Sequence, residues 1–321
     1  MANNETNSNP KKEVESKDDF DFSVGEPVTE TKSPDSQTEE GPKTAQTISQ
    51  TQTKVQPQIP GDSAPFIVLC GPPASGKSMV LKSLATHLYR TKELGYSIAA
   101  NKTLLNTALY QDHCDIFDSI ISDPDTPMPN TVNYLMADIM DKNGNVVAHF
   151  LEAPGEDFFS LNNSAQEPNI QFKGYLEKVA QITSGVNRKV VYIILLDLDS
   201  ATSFRNNAGL RDKYEKKMLK LYNRFVLHHP SRVILLYNKV DIPRQGLWAN
   251  SNGCSNLKAV LEDAQLNYPQ MFFKKKFLFW EIDNYKFLPF CTGSYPDDGS
   301  YTASGPAYPS ALWKEITKLL W

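Results

Sequence analysis

The tightest constraint in this chain is a passage where an apolar run, a glycine-bearing turn and a helical pattern follow one another without interruption. Phe66–Cys70 reads FIVLC, Gly71–Ser78 reads GPPASGKS, and Met79, Leu81, Leu84 and Leu88 then recur at helical spacing as far as Arg90. Five apolar residues bounded by turn formers predict a buried strand, and the spacing after it predicts a helix from about Ser78 to Arg90. A strand that must be covered on both faces, followed at once by a helix, directs the chain toward a layered α/β architecture.

The rest of the sequence repeats the alternation. Strands are predicted at Tyr134–Asp141, Val146–Glu152, Val190–Asp197 (VVYIILLD) and Arg232–Asn238, with final strands at Phe277–Ile282 and Phe287–Cys291. Asn143-Gly144 between two strand-like runs is a strong hairpin signal. Helices are predicted around Thr103–Tyr110, within an otherwise polar connection Thr91–Asn130, and at Asp212–His228 and Pro309–Leu320. The fold class that follows is α/β, a doubly wound and mostly parallel sheet with helices on both faces.

Composition divides the chain in two. Residues 1–60 are rich in Asn, Thr, Ser, Gln, Glu, Lys and Pro, with Phe20 and Phe22 their only aromatics. Such a segment buries too little apolar surface to offset its conformational entropy, so a disordered acidic tail is expected, with the folded domain and its insertions in 61–321. The tail holds 11 acidic and 6 basic residues, which places the whole net charge of -4 there and leaves the remainder near neutral. A near-neutral domain has no electrostatic footprint for nucleic acid. Cys70, Cys114, Cys254 and Cys291 are scattered without metal-ligand spacing, and Cys70 and Cys291 end apolar runs. Neither a disulfide framework nor structural zinc is expected, and a reducing, cytoplasmic setting is. No run approaches the roughly 18 apolar residues of a membrane span, so no stable membrane insertion is expected.

Three segments carry chemistry. Gly71, Pro72, Pro73, Ala74, Ser75, Gly76, Lys77 and Ser78 fit G-x-x-x-x-G-K-[ST], with Met79 opening the helix behind them. Glycines let the backbone curl so that its N–H groups face a phosphate chain, Lys77 reaches the β and γ phosphates, and the Ser78 hydroxyl takes a Mg²⁺ position. Val146–Gly155 reads VVAHFLEAPG, a strand ending in the Glu152 carboxylate with Gly155 three residues on. That arrangement can hold Mg²⁺ and offer an N–H to a γ-phosphate. Asn238-Lys239-Val240-Asp241 follows a strand directly. The Asp241 carboxylate can accept from two donors on one edge of guanine, a pair that adenine lacks on that edge. Asn238 would brace the loop, and the Lys239 stem would cover the ring.

These motifs in this order resemble a Ras-like or translation-factor-type P-loop GTPase, over roughly Phe66 to the C-terminus. The resemblance implies GTP or GDP with Mg²⁺, slow hydrolysis, a two-state switch and an effector or activating protein. It further implies that Cys291 and Thr292 support the guanine and that Thr131, with Thr126 as alternative, senses Mg²⁺ and γ-phosphate. Glu156 stands where Ras-like proteins carry the Gln that orients the attacking water, and Glu152 replaces their Asp. Both departures point to slow, partner-assisted turnover. Two alternatives stay open: a GTP-binding scaffold with little or no hydrolysis, and a P-loop ATPase or nucleotide kinase, which would leave Asn238–Asp241 unexplained. Arg205 and Arg211 are read as residues of a solvated loop, His228-His229-Pro230 as a helix end, and Met271–Trp280 (MFFKKKFLFW) as a strand with a basic turn.

Overall fold

Strands that are apolar at every position need cover on both faces, and they occupy the centre of one seven-stranded sheet. The structure, a computed structural model, describes residues 61–72, 74–91, 95–101, 107–123, 125, 135–152, 188–197, 208–223, 231–242, 248–272, 274–277, 280–294 and 300–321. The expected tail lies outside them. The sheet strands are β1 (Phe66–Cys70), β2 (Tyr96–Ala100), β3 (Leu135–Asp141), β4 (Val146–Glu152), β5 (Val190–Asp197), β6 (Ser231–Asn238) and β7 (Lys286–Pro289), in the spatial order β7-β6-β5-β1-β4-β3-β2. The run β7 to β4 is parallel, and β3 and β2 add antiparallel at one edge. Every residue of β1 is fully buried.

The described helices are α1 (Lys77–Arg90), α2 (Thr107–Ser122), α3 (Ala208–Leu221), α4 (Leu257–Asn267) and α5 (Ala307–Leu320). Parallel crossovers are right-handed, so α3 and α4, which carry the chain from β5 to β6 to β7, lie on one face. Helices α1 and α5 touch each other and occupy the other. On the first face, Glu215 of α3 is fully buried and accepts from the Gln270 N–H at 2.9 Å, while the Tyr237 hydroxyl of β6 donates to Asp263 of α4 at 2.7 Å. Buried polar groups are tolerated where they are bonded in this way. On the second face, α5 reaches the sheet edge, where Tyr96 packs edge-on against Trp313 and stacks on Trp321.

Several expectations change. Tyr96–Ala100 is an edge strand inside what reads as a polar connection, because YSIAA alternates rather than forming an apolar run. The helix predicted at Thr103–Tyr110 is instead α2, which extends to Ser122. Helix α3, Ala208–Leu221, starts four residues before the expected Asp212, its expected end at His228 lies outside the described residues, and Arg211 is a helical residue 3.7 Å from Glu215, not a loop residue. The His228-His229-Pro230 segment and Arg205 lie outside the described residues. The segment read as one strand with a basic turn is a hairpin whose lysines lie in its first strand, Lys274–Phe277, paired with Trp280–Asp283. Helix α4 has no counterpart in the sequence reading. Its start is fixed locally by Asn256, whose side chain accepts from the Ala259 N–H at 3.1 Å. The Asn143-Gly144 turn joins β3 to β4 as predicted, with Gly144 at φ 79° and Asp141 accepting from the Asn143 and Asn145 N–H groups.

At the end of the sheet where β1 begins, His149 of β4 is buried between two carboxylates. Its Nδ1 lies 2.7 Å from Asp138 and its Nε2 2.8 Å from Asp62. Only the doubly protonated ring donates from both nitrogens. Burial disfavours the charged ring, but the bonds to Asp138 and Asp62 outweigh it and hold its pKa above the ordinary value. A pKa raised by folding adds stability in full below the unfolded value, about 6.5, and loses it as pH climbs through the folded one. His149→Gln is therefore expected to cost about 2 kcal/mol near pH 6. The deficit should narrow toward alkaline pH, which denaturant midpoints of both proteins across that range would show.

Candidate functional site

In a parallel sheet, ligands bind beyond the carboxyl ends of the strands, where the connecting loops are free to shape a site. The described parts of the three chemistry-bearing segments lie there. β1 ends at Cys70 and passes into the Gly71–Ser78 loop, and α1 begins at Lys77. The loop curls on the Pro72 carbonyl, which accepts from the Ser75 N–H at 3.3 Å, the Ser75 hydroxyl at 2.8 Å and the Lys77 ammonium at 2.9 Å. Lys77 is buried, so its charge is held against the loop. Ala74 and Gly76 both take left-handed backbone, at φ 58° and 87°. A side chain on Gly71 would meet the Ser75 Oγ at 2.8 Å and the Leu195 Cβ at 2.9 Å, so glycine there lets the loop lie against β5. Pro73 lies outside the described residues.

The second segment arrives by register. β4 runs parallel to β1 with Leu69 opposite Glu152, which brings the last residue of β4 level with the start of the loop. The Glu152 carboxylate is 2 % exposed and accepts a hydrogen bond from the Ser78 hydroxyl at 2.6 Å. Two oxygen donors, one anionic, thus converge where α1 starts. Met79 is buried in that same first turn. Gly155, Glu156, Thr131 and Thr126 lie outside the described residues.

The third segment is fastened to the first. Asn238 ends β6, is fully buried, and donates its side-chain amide to the Ser75 carbonyl at 2.9 Å. The Cβ of an alanine at Gly76 would stand 2.6 Å from that amide nitrogen. Beyond Asn238 the chain turns sharply, with Lys239 at φ 63° and the Ile242 N–H donating to the Lys239 carbonyl. β7 runs beside β6, and the Val240 N–H donates to the Phe290 carbonyl at 3.3 Å. This places Cys291 next to Asp241. Burial foremost, then the negative charge and hydrogen bonding of Asp241, push the Cys291 thiol far above its ordinary pKa. Cys291 is accordingly an inert, packed thiol beside the Asp241 carboxylate. Thr292 follows, almost wholly buried.

Tyr301 is a site neighbour that the sequence reading passes over. Its hydroxyl donates to the Thr292 carbonyl at 2.5 Å, and its ring would lie 2.6 Å from a side chain on Gly293. Nine residues separate Thr292 from Tyr301, and no periodicity links them. The two-residue ladder of Gly293–Ser294 with Thr302–Ala303 brings them together, and the Ser304 N–H also donates to the Thr292 carbonyl at 3.4 Å. No group of three or more metal-ligating His, Cys, Asp or Glu side chains occurs among the described residues.

The strand order puts the Gly71–Ser78 loop after the central strand β1 and the Asn238–Asp241 segment after β6, at the same end of the sheet. No protein-family model matches the sequence, and comparison with curated proteins gives no match. Among solved structures, the chain is similar to the signal recognition particle receptor SRb-GTP/SRX complex from Chaetomium thermophilum. The identity is 14%, over 80% of this chain and 99% of that one, with a TM-score of 0.41. It is also similar to Methanosarcina barkeri Roco2 RocCORdC bound to GDP, at 12% identity and a TM-score of 0.29, over 83% of this chain and 51% of that one.

Gly76→Ala tests the joint between loop and strand. The left-handed φ and the approach to Asn238 should together cost about 2 kcal/mol of stability. Calorimetric unfolding of the wild type and the variant would show the loss.

Proposed function

We propose that this protein is a guanine-nucleotide switch that binds GTP or GDP with Mg²⁺ and hydrolyses GTP slowly, assisted by a partner. The observation that carries the reading is the bond from Asn238 to Ser75, which ties the base-reading segment to the phosphate loop. One ligand that spans both must present a phosphate chain to Gly71–Ser78 and a ring edge to Asp241. Guanine supplies two donors to a carboxylate on that edge. Lys239 would cover the ring, and Cys291 and Thr292 would wall the base.

Ser78 and Glu152 fit a hard divalent cation, which prefers oxygen donors including a carboxylate. Bound there, Mg²⁺ would neutralise charge on the β and γ phosphate oxygens. Lys77 would exchange the Pro72 carbonyl for phosphate oxygens. Gly155 would offer its N–H to the γ-phosphate, Thr131 would close over the metal, and Glu156 would face the attacking water. A carboxylate there meets the negative γ-phosphate, which supports slow turnover and an activating partner. No described helix is long and apolar enough to cross a membrane. A cytoplasmic setting with a protein effector is part of the proposal.

Competition between GTP and ATP tests the base, with GTP expected to win by at least about a hundredfold. Asp241→Asn should lower GTP affinity by about 1–3 kcal/mol and narrow that preference. Preference for ATP in the wild type would overturn the reading. Ser78→Ala should leave folding intact and abolish the Mg²⁺ dependence of GTP affinity, measured by titration with and without chelator. Single-turnover phosphate release then separates a slow hydrolase from a scaffold: release within hours is the expected result.

A further inference from the structure

A loop that walls a ring-binding slot must be held before the ligand arrives, because ordering it on binding costs affinity. Cys291–Gly293 is such a loop, leaving β7 beside the Asn238–Asp241 turn. Cys291 lies against Asp241, and its thiol is 3.9 Å from the Gly293 carbonyl. The Thr292 carbonyl accepts from the Tyr301 hydroxyl at 2.5 Å and from the Ser304 N–H at 3.4 Å. The second distance exceeds the range of about 2.7–3.2 Å usual for such a bond, so the hydroxyl is the stronger hold. Gly293, at φ 144°, lets the chain pass close to the Tyr301 ring, which a side chain there would strike. The ring is itself enclosed, with Tyr301 8 % exposed. The Lys82 ammonium of α1 lies 5.6 Å from its centroid, within cation–π range, and donates to the Asp123 carbonyl just past α2 at 3.2 Å.

We propose that Tyr301 is a positioning residue for base recognition, whose hydroxyl fixes the Cys291–Gly293 wall beside the Asp241 carboxylate. The proposal rests on the guanine-nucleotide reading above and adds a group that makes its base side selective. Two donors on one edge of guanine meet Asp241 together only if the ring lies at one level, and the wall sets that level. Tyr301 acts on the wall through the Thr292 backbone. Its hydroxyl can therefore be withdrawn without removing any group assigned to the nucleotide. Tyr301→Phe does this and keeps the ring beside Gly293 and Lys82. A tyrosine that served packing alone would change the affinity of every nucleotide by the same factor, since all would share the Gly71–Ser78 loop.

The test measures GDP and ADP affinity of the full chain, by competition against a fluorescent GDP, for the wild type and Tyr301→Phe. One hydrogen bond is worth about a factor of ten in an equilibrium. Tyr301→Phe is expected to weaken GDP about tenfold and ADP less than about twofold, so the preference for guanine narrows. Equal weakening of both, or no weakening of GDP, overturns the positioning role. If Tyr301→Phe does not fold, Tyr301→Leu, which fills the space with an apolar side chain and removes the same bond, carries the comparison with the same deciding outcomes. A wild type that binds no GDP, or binds ADP as tightly, overturns the guanine reading and the positioning role with it. That result is distinguishable from a wild type that prefers GDP and a variant that keeps the whole preference.

Discussion

The hydrogen bond from the Asn238 side chain to the Ser75 carbonyl is the contact on which the site's geometry depends. It joins the end of β6 to a loop that follows β1, across β5, which lies between them in the sheet. The loop is not self-supporting, because Ala74 takes left-handed backbone at a cost in free energy that the surroundings must offset, whereas Gly76 takes it freely. The buried amide supplies part of that offset, and the Pro72 carbonyl, gathering three donors, supplies another. The loop meets its support at Gly76, where any side chain would strike the amide.

At the carboxyl ends of the strands, the Lys77 ammonium donates to the Pro72 carbonyl and the Glu152 carboxylate accepts from the Ser78 hydroxyl. At the opposite end, His149 is closed between Asp62 and Asp138, and Arg188 lies 3.8 Å from Asp62 with its guanidinium over the Phe66 ring. Full charge pairing suits a structural clamp on the entry to β1.

Legibility in the sequence followed the length scale of each signal. Fully apolar runs such as VVYIILLD and FIVLC mark central strands because burial on both faces leaves no room for alternation, and their bounds came out correctly. The edge strand Tyr96–Ala100 escaped because its buried Ile98 and Ala100 alternate with more exposed residues, a mixed pattern rather than an apolar run. Helix α4 escaped because five of its residues are exposed and its capping signal, Asn256, sits in a polar stretch resembling any loop. The contacts of the site were legible only where adjacent in sequence. GPPASGKS declares its own curl, whereas the meeting of Ser78 with Glu152 and of Cys291 with Asp241 depends on register.

The sequence by itself determined the phosphate-type loop, the central strands and the segment after β6, since turn chemistry and burial on both faces are local properties. The tertiary structure decided which of these touch. Parallel pairing of β1 with β4 and of β6 with β7 sets the level at which each strand ends, and that level is a property of the whole sheet. It also decided that Lys82, one of several lysines in the sequence, is the one enclosed between α2 and Tyr301, because burial is assigned by the packing of segments far apart along the chain.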